Sequence, residues 1–191
     1  MTLLPGHYSG PAPADPREPG APAGRLFHKI VPITAPQFGA QYVFYHQISR
    51  DGFDSSQPFQ QKIYAFDLDP KRSTNRMRSV VFYPQQGYAN LEQHAAQLAS
   101  LDPTVLMQFP ESCAIRWLAG ERPGVFVARV SRSDCQYVSK AFKQIIAPDL
   151  TYVLSEAEFA IEDVLYGENG QPLFPPSGLL HATRLRTAAE P

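Results

Sequence analysis

From residue 25 onward the chain is cut into short runs rich in Val, Ile, Phe and Tyr, each bounded by Pro, Gly, Asp or Asn. This punctuation limits the fold more than any other feature of the sequence. The runs are RLFHKIVPI (25–33), QYVFYHQIS (41–49), FQQKIYAFDL (59–68), RMRSVVFYP (76–84), SCAIRWLA (112–119), GVFVARVS (124–131), LTYVLS (150–155), FAIEDVLY (159–166) and LLHATRLR (179–186). Eight or nine strands at fairly even spacing, with Glu168, Asn169 and Gly170 as a hairpin signal, predict an antiparallel barrel or a sandwich. One stretch departs from the pattern. In NLEQHAAQLASL (90–101), Asn90 is a candidate N-cap, and Leu91, Ala95 and Leu98 recur at helical spacing ahead of Asp102 and Pro103. A short amphipathic helix is expected there.

The 191 residues are enough for one domain over 1–191 and too few for two with a linker. Residues 10–24, GPAPADPREPGAPAG, hold five prolines and are expected to be a loop, and 187–191 a frayed tail. No repeat of 20 to 50 residues is visible, which argues against propellers and solenoids.

Charge excludes one class of partner. Seventeen basic and eighteen acidic residues give a net charge of -1, unlike a surface that neutralises nucleic-acid phosphates. The densest basic run, PKRSTNRMR (70–78), follows Asp69 and precedes a strand, so it reads as the solvated end of a hairpin. The start, MTLLPGHYSG, has no basic n-region or apolar run, and no stretch approaches the ~20 apolar residues of a spanning helix. The expectation is a soluble, cytoplasmic protein with no membrane and no nucleic acid among its partners. Cys113 and Cys135, with 21 residues between them, do not make a Cys-only zinc site, and no His pair stands beside them at ligand spacing, so no metal is expected. Two reduced core thiols and one bridge between neighbouring strands both remain open.

Phosphate loops, the nucleophile elbow and the H-E-x-x-H helix are missing. His7, His28, His46, His94 and His181 are scattered; His94 reads as a surface residue, while His46 lies mid-strand among aromatics. The carboxylate pairs Glu156/Glu158 and Glu162/Asp163 sit beside turns or straddle both faces of a strand, and read as solvated edges. No nucleophile stands out, and catalytic residues are left unassigned.

The segment QPFQQKIYAFDLD (57–69) is the sharpest clue. An extended chain puts Gln60, Lys62, Tyr64, Phe66 and Leu68 on one face and Gln61, Ile63, Ala65 and Asp67 on the other, and neither face is cleanly apolar. If Tyr42, Phe44, His46 and Ile48 face inward, then Gln60, Lys62, Tyr64 and Phe66 address the same cavity. Polar groups then cluster near the shared connection and aromatics lie deeper, as in a barrel mouth that grips the charged end of an apolar ligand. Arg78 and Trp117 are further candidates. The competing expectation is that Lys62 snorkels to solvent and the aromatics fill the core.

YVFYHQI, QPFQQKIYAFDL, ESCAIRWLAGERPGVFVARVSRSDC and strands ending in ENGQPLF, in that order from about residue 25 to 174, resemble the CpeT/CpcT family of phycobiliprotein chromophore lyases. In that family an aromatic strand ends in Glu-Gln and a Pro-Tyr-Arg-Gln-Arg-x-Tyr segment follows. A Gly-Cys then begins a strand, a Phe-x-Gly hairpin comes next, and a second Cys follows about twenty residues after the first. The resemblance implies an all-β, antiparallel calycin/lipocalin-like β-barrel of about 8–10 strands with one short helix. It implies a bilin, phycocyanobilin or phycoerythrobilin, as bound substrate with no required cofactor, and thioether attachment of that bilin to a cysteine of a phycobiliprotein β subunit. It also implies that Cys113 and Cys135 lie on adjacent strands, with a disulfide between them as one outcome. A homodimer is compatible with it.

Departures fall where charge matters. His46 stands where the family has Glu, Gln60 and Lys62 stand where it has two Arg, Tyr64 is kept, and Ser112 replaces the Gly before Cys113. The alternative reading is a non-catalytic small-ligand-binding barrel of a divergent branch that has lost those pocket charges.

Overall fold

The computed structural model describes residues 3–12, 24–55, 58, 60–68, 77–83, 95–140, 142–174, 176 and 178–185. Among them lie the strands β1 (Gly6–Pro11), β2 (Arg25–Pro32), β3 (Tyr42–Ser49), β4 (Gln60–Leu68), β5 (Met77–Tyr83) and β6 (Met107–Gln108). They are followed by β7 (Ile115–Ala119), β8 (Phe126–Val130), β9 (Tyr137–Ser139), β10 (Gln144–Leu154), β11 (Glu158–Tyr166) and β12 (Leu180–Leu185); one helix, α1 (Ala95–Ser100), joins β5 to β6.

All pairings are antiparallel. They run β11-β12-β1-β2-β3-β4-β5-β7-β8-β10, and β10 then pairs with β11 from Ala147↔Tyr166 to Leu154↔Phe159. The circuit closes, so these ten strands leave no long open edge to aggregate. β6 pairs with β5, and β9 with the first residues of β10.

β1 was not expected. Its sequence, GHYSGP, has no apolar run, yet it pairs with β2 and β12 and completes the circuit. Gly10 explains the composition: a Cβ there would lie 2.3 Å from the His181 carbonyl oxygen, so the close approach of β12 admits only glycine. β10 likewise starts at Gln144, earlier than the expected 150. It pairs with β9 over Gln144–Ile146 and with β8 over Leu150–Leu154, and Pro148 falls between the two partners, where a missing N–H is tolerated. β7 begins at Ile115 because residues 111–113 form a 3-10 turn after Pro110. Leu68 pairs with Met77, so β4 and β5 form an antiparallel pair; residues 70–76 of the basic run between them, like Asn90, Leu91, His94, most of the proline-rich loop and 187–191, lie outside the described residues.

The mixed polarity of β3 and β4 has a structural cause: both of their faces are covered. One face carries Phe44, Tyr64 and Phe66 into the barrel core, which also holds Ile30, Trp117, Tyr152 and Phe159. On the other face Val43, Ile63 and Ala65 pack beneath Leu101 and Leu106, and Tyr45 beneath Leu98 of α1. The Gln37 amide donates to the carbonyls of Leu98 (3.1 Å) and Leu101 (3.0 Å), occupying acceptors that the helix end leaves over. Buried polar groups on that face are paired as well: the Tyr45 hydroxyl donates to the side-chain oxygens of Gln47 and Gln61, and the Gln47 amide donates to the carbonyls of Phe53 and Ser55. Cys113 and Cys135 form a disulfide, which decides between the alternatives the sequence left open and ties the turn before β7 to the segment after β8.

Candidate functional site

The site grows out of the register of three strands. His46 pairs with Ile30 on β2 and with Lys62 on β4, while His28 pairs with Ile48 and Phe44 with Tyr64. Opposed residues in an antiparallel pair share a face, so His28, His46, Lys62 and Tyr64 all belong to the inner face of the barrel. All four are buried; His46 is 0 % exposed and Lys62 4 %. Lys62 therefore does not snorkel to solvent.

A hydrogen-bonded chain crosses this face. His28 Nδ1 lies 3.1 Å from His46 Nε2, and His46 Nδ1 lies 3.2 Å from Tyr64 Oη. Burial, reinforced by the Lys62 ammonium, lowers the His28 pKa to about 4; burial, His28 and Lys62 together hold His46 well below its ordinary value. Both rings are neutral at pH 7, so each offers one N–H and one acceptor. The chain then has two consistent polarities. In one, Tyr64 donates to His46 and His46 to His28; in the other, His28 donates to His46 and His46 to Tyr64. Phe159 presents its ring edge-on to both imidazoles, at 77° and 78°, and holds them in place.

Asp163 enters from the far side of the barrel. On β11 it is in phase with Phe159 and Ile161, which pack into the interior. Its carboxyl is surrounded by protein yet keeps exposed surface, as at the open end of a barrel. Burial raises its pKa, and the Lys62 ammonium opposes that shift.

Beyond these groups the lumen is aromatic. Phe44 meets Phe66 edge-on at 5.5 Å, Phe66 adjoins Trp117, Trp117 adjoins Tyr152, and Tyr152 adjoins Phe159. A narrow apolar gap between Leu4, Tyr64, Phe66, Ile115, Trp117, Tyr152 and Phe159 is nowhere wide enough for a water molecule. The Trp117 indole nitrogen is buried and has no hydrogen-bond partner among the described residues. An N–H left dry and unpaired costs about 1–3 kcal/mol.

Of the residues singled out from sequence, Phe44, His46, Lys62, Tyr64 and Trp117 come together inside the barrel. Tyr42 is at the rim and partly exposed. Gln60 is half-buried opposite Ile48, where Ile48, Leu26 and Ala12 form a small apolar cluster. Arg78 pairs in register with Asp67 and Arg116, and its side chain lies outside the described residues. Sequence reasoning missed His28 and Asp163. The signal for His28 was present in its alternation with Leu26 and Ile30, and that for Asp163 in its phase with Phe159.

Ten antiparallel strands closed around an aromatic interior, with a short helix against the outer wall, make a calycin-like barrel. Among solved structures the chain is similar to the T-type phycobiliprotein lyase CpeT from Prochlorococcus phage P-HM1, with a TM-score of 0.50 and 11 % identity, covering 96 % of this chain and 93 % of that one. It is similar also to the CRL protein of Arabidopsis, with a TM-score of 0.64 and 12 % identity over the same shares of the two chains. At these identities the likeness is one of fold. No family model and no curated protein matches the sequence.

Proposed function

We propose that the barrel binds a linear tetrapyrrole and serves as a bilin lyase or bilin chaperone for a phycobiliprotein β subunit. The observation that carries this reading is the buried ammonium of Lys62 on the inner face of an aromatic-walled lumen, with Asp163 in phase with inward Phe159 on β11, on a fold shared with the CpeT lyase. A bilin has two propionates, a row of pyrrole nitrogens and a curved aromatic body. An ammonium complements a propionate, a carboxylate complements pyrrole N–H groups, and stacked rings complement the body. Asp163 thus supplies, from β11, the carboxylate that His46 does not. In the transfer step the acceptor S–H adds across the bilin's exocyclic double bond, sulfur to carbon and proton to the ring, with no oxidant and no leaving group. The acceptor cysteine is the partner's, since Cys113 and Cys135 are bonded to each other.

A second reading is a carrier of another amphipathic small molecule without catalysis. A single ammonium where a bidentate guanidinium would orient a propionate better favours it. The test is to mix the purified protein with phycocyanobilin or phycoerythrobilin, then add an apo β subunit. A sharpened, red-shifted band followed by an adduct that survives denaturation supports the lyase. A band without transfer leaves a carrier, and no band removes the bilin. Lys62→Met is expected to weaken bilin binding about tenfold. Among the described residues no helix is long and apolar enough to cross a membrane.

A further inference from the structure

The gap beside Trp117 differs in chemistry from the lysine and histidine cluster. Its other walls are Leu4, Tyr64, Phe66, Ile115, Tyr152 and Phe159, none of them charged, and the Tyr64 hydroxyl is already engaged with His46. Trp117 is 7 % exposed, and its indole nitrogen is buried with no partner among the described residues. We propose that this gap is a ligand subsite for a neutral carbonyl carried on a flat apolar ring. The indole N–H donates to the carbonyl oxygen, and the ring lies against Phe66, Tyr152 and Phe159. Neutrality follows from the surroundings. One uncharged donor in an apolar wall leaves a carboxylate's charge and remaining lone pairs unmet, whereas it satisfies a ketone or lactam. Flatness follows from walls made of aromatic faces and edges.

Leu4 shows how room is made. It precedes β1, and its segment is tied down by side chains: the Tyr8 hydroxyl donates to the carbonyls of Leu3 (2.9 Å) and Leu4 (3.0 Å), and Arg184 donates to the carbonyl of Pro5 (2.6 Å). Leu4 is therefore a stopper held by side-chain bonds instead of the barrel ladder, and the entering ring takes the volume of its side chain. The biological ligand rests on the bilin reading. A bilin's terminal lactam is a flat ring with a neutral carbonyl, so it seats at Trp117 while the propionates point toward Lys62.

Trp117 is the only tryptophan of the chain, so its indole N–H gives a single resonance in a proton–nitrogen correlation spectrum. The probes are indanone, its carbonyl-free analogue indane, and phycocyanobilin. Indanone is expected to move that resonance downfield and to bind about fivefold more tightly than indane. Trp117→Phe is expected to erase the preference, and Leu4→Ala to raise the affinity for both probes. Equal binding of indanone and indane, or an unmoved resonance, overturns the subsite, and the wild-type titration decides this even where a variant fails to fold. Phycocyanobilin that binds by its visible band without moving the indole N–H overturns the lactam placement and leaves the bilin reading standing. Indanone that moves the resonance where no bilin binds supports the subsite and removes the bilin.

Discussion

Lys62 is a charge in a place where charges are rare. An ammonium that is 4 % exposed needs opposite charge or acceptors nearby, and the carboxyl of Asp163, on the inward row of β11, is one group whose protonation it influences. The neighbouring imidazoles respond in the opposite sense, kept neutral partly by Lys62 itself. Removing the ammonium should therefore be read at the carboxyl. In Lys62→Met the Asp163 side-chain carbon, followed by nuclear magnetic resonance across a pH titration, is expected to change at higher pH than in the parent, because burial then acts on it unopposed. An unchanged midpoint would separate the two groups. At this scale the sequence was only partly readable. The inward row of β3 and β4 follows from alternation alone; on β11 the solvated edge read for Glu162 and Asp163 agrees with the exposed surface Asp163 keeps, and what the sequence did not show is that closure of the barrel puts Asp163 on the inward row with Phe159 and Ile161.

At the scale of elements, strands rich in branched and aromatic residues announce themselves, and those shaped by neighbours do not. β2 to β5, β7, β8, β11 and β12 belong to the first kind. β1 is the second kind: its glycines answer to β12, a partner distant in sequence, so no local pattern marks it. The helix depends on its neighbours too, since six residues cannot hold themselves together in water. Gln37 reaches from the turn before β3 to close its end. Gln37→Ala is expected to cost about 1–2 kcal/mol and to speed amide exchange in Ala95–Ser100 before it affects the barrel, as measured by denaturant unfolding and hydrogen exchange. The disulfide closes a loop of separation 22, which corresponds to about 3 kcal/mol of restricted unfolded-chain entropy. The double variant Cys113→Ala, Cys135→Ala should melt correspondingly lower, while the parent in reductant should approach it.

For the molecule as a whole, buried histidines set an acid limit. His28 has a folded pKa of about 4 against an ordinary 6.5, and burial holds His46 well below its ordinary value too. The unfolded chain therefore takes up protons that the folded barrel refuses, and stability present above pH 6.5 is lost as pH falls toward 4. His28 alone accounts for on the order of 3 kcal/mol across that window. Asp163 works in the opposite direction, because its raised pKa lets the folded state bind a proton more readily than the unfolded one. It offsets part of the loss without reversing it, since two histidines stand against one carboxyl. Unfolding free energies from denaturant titrations at several pH values should fall steeply between pH 6.5 and 4. In His28→Gln, which keeps an amide able to meet His46, the slope should flatten. A parent whose stability is level across the window would mean that the imidazoles are already charged in the fold, and that the chain from Tyr64 through His46 to His28 does not have the alternating donors and acceptors its distances imply.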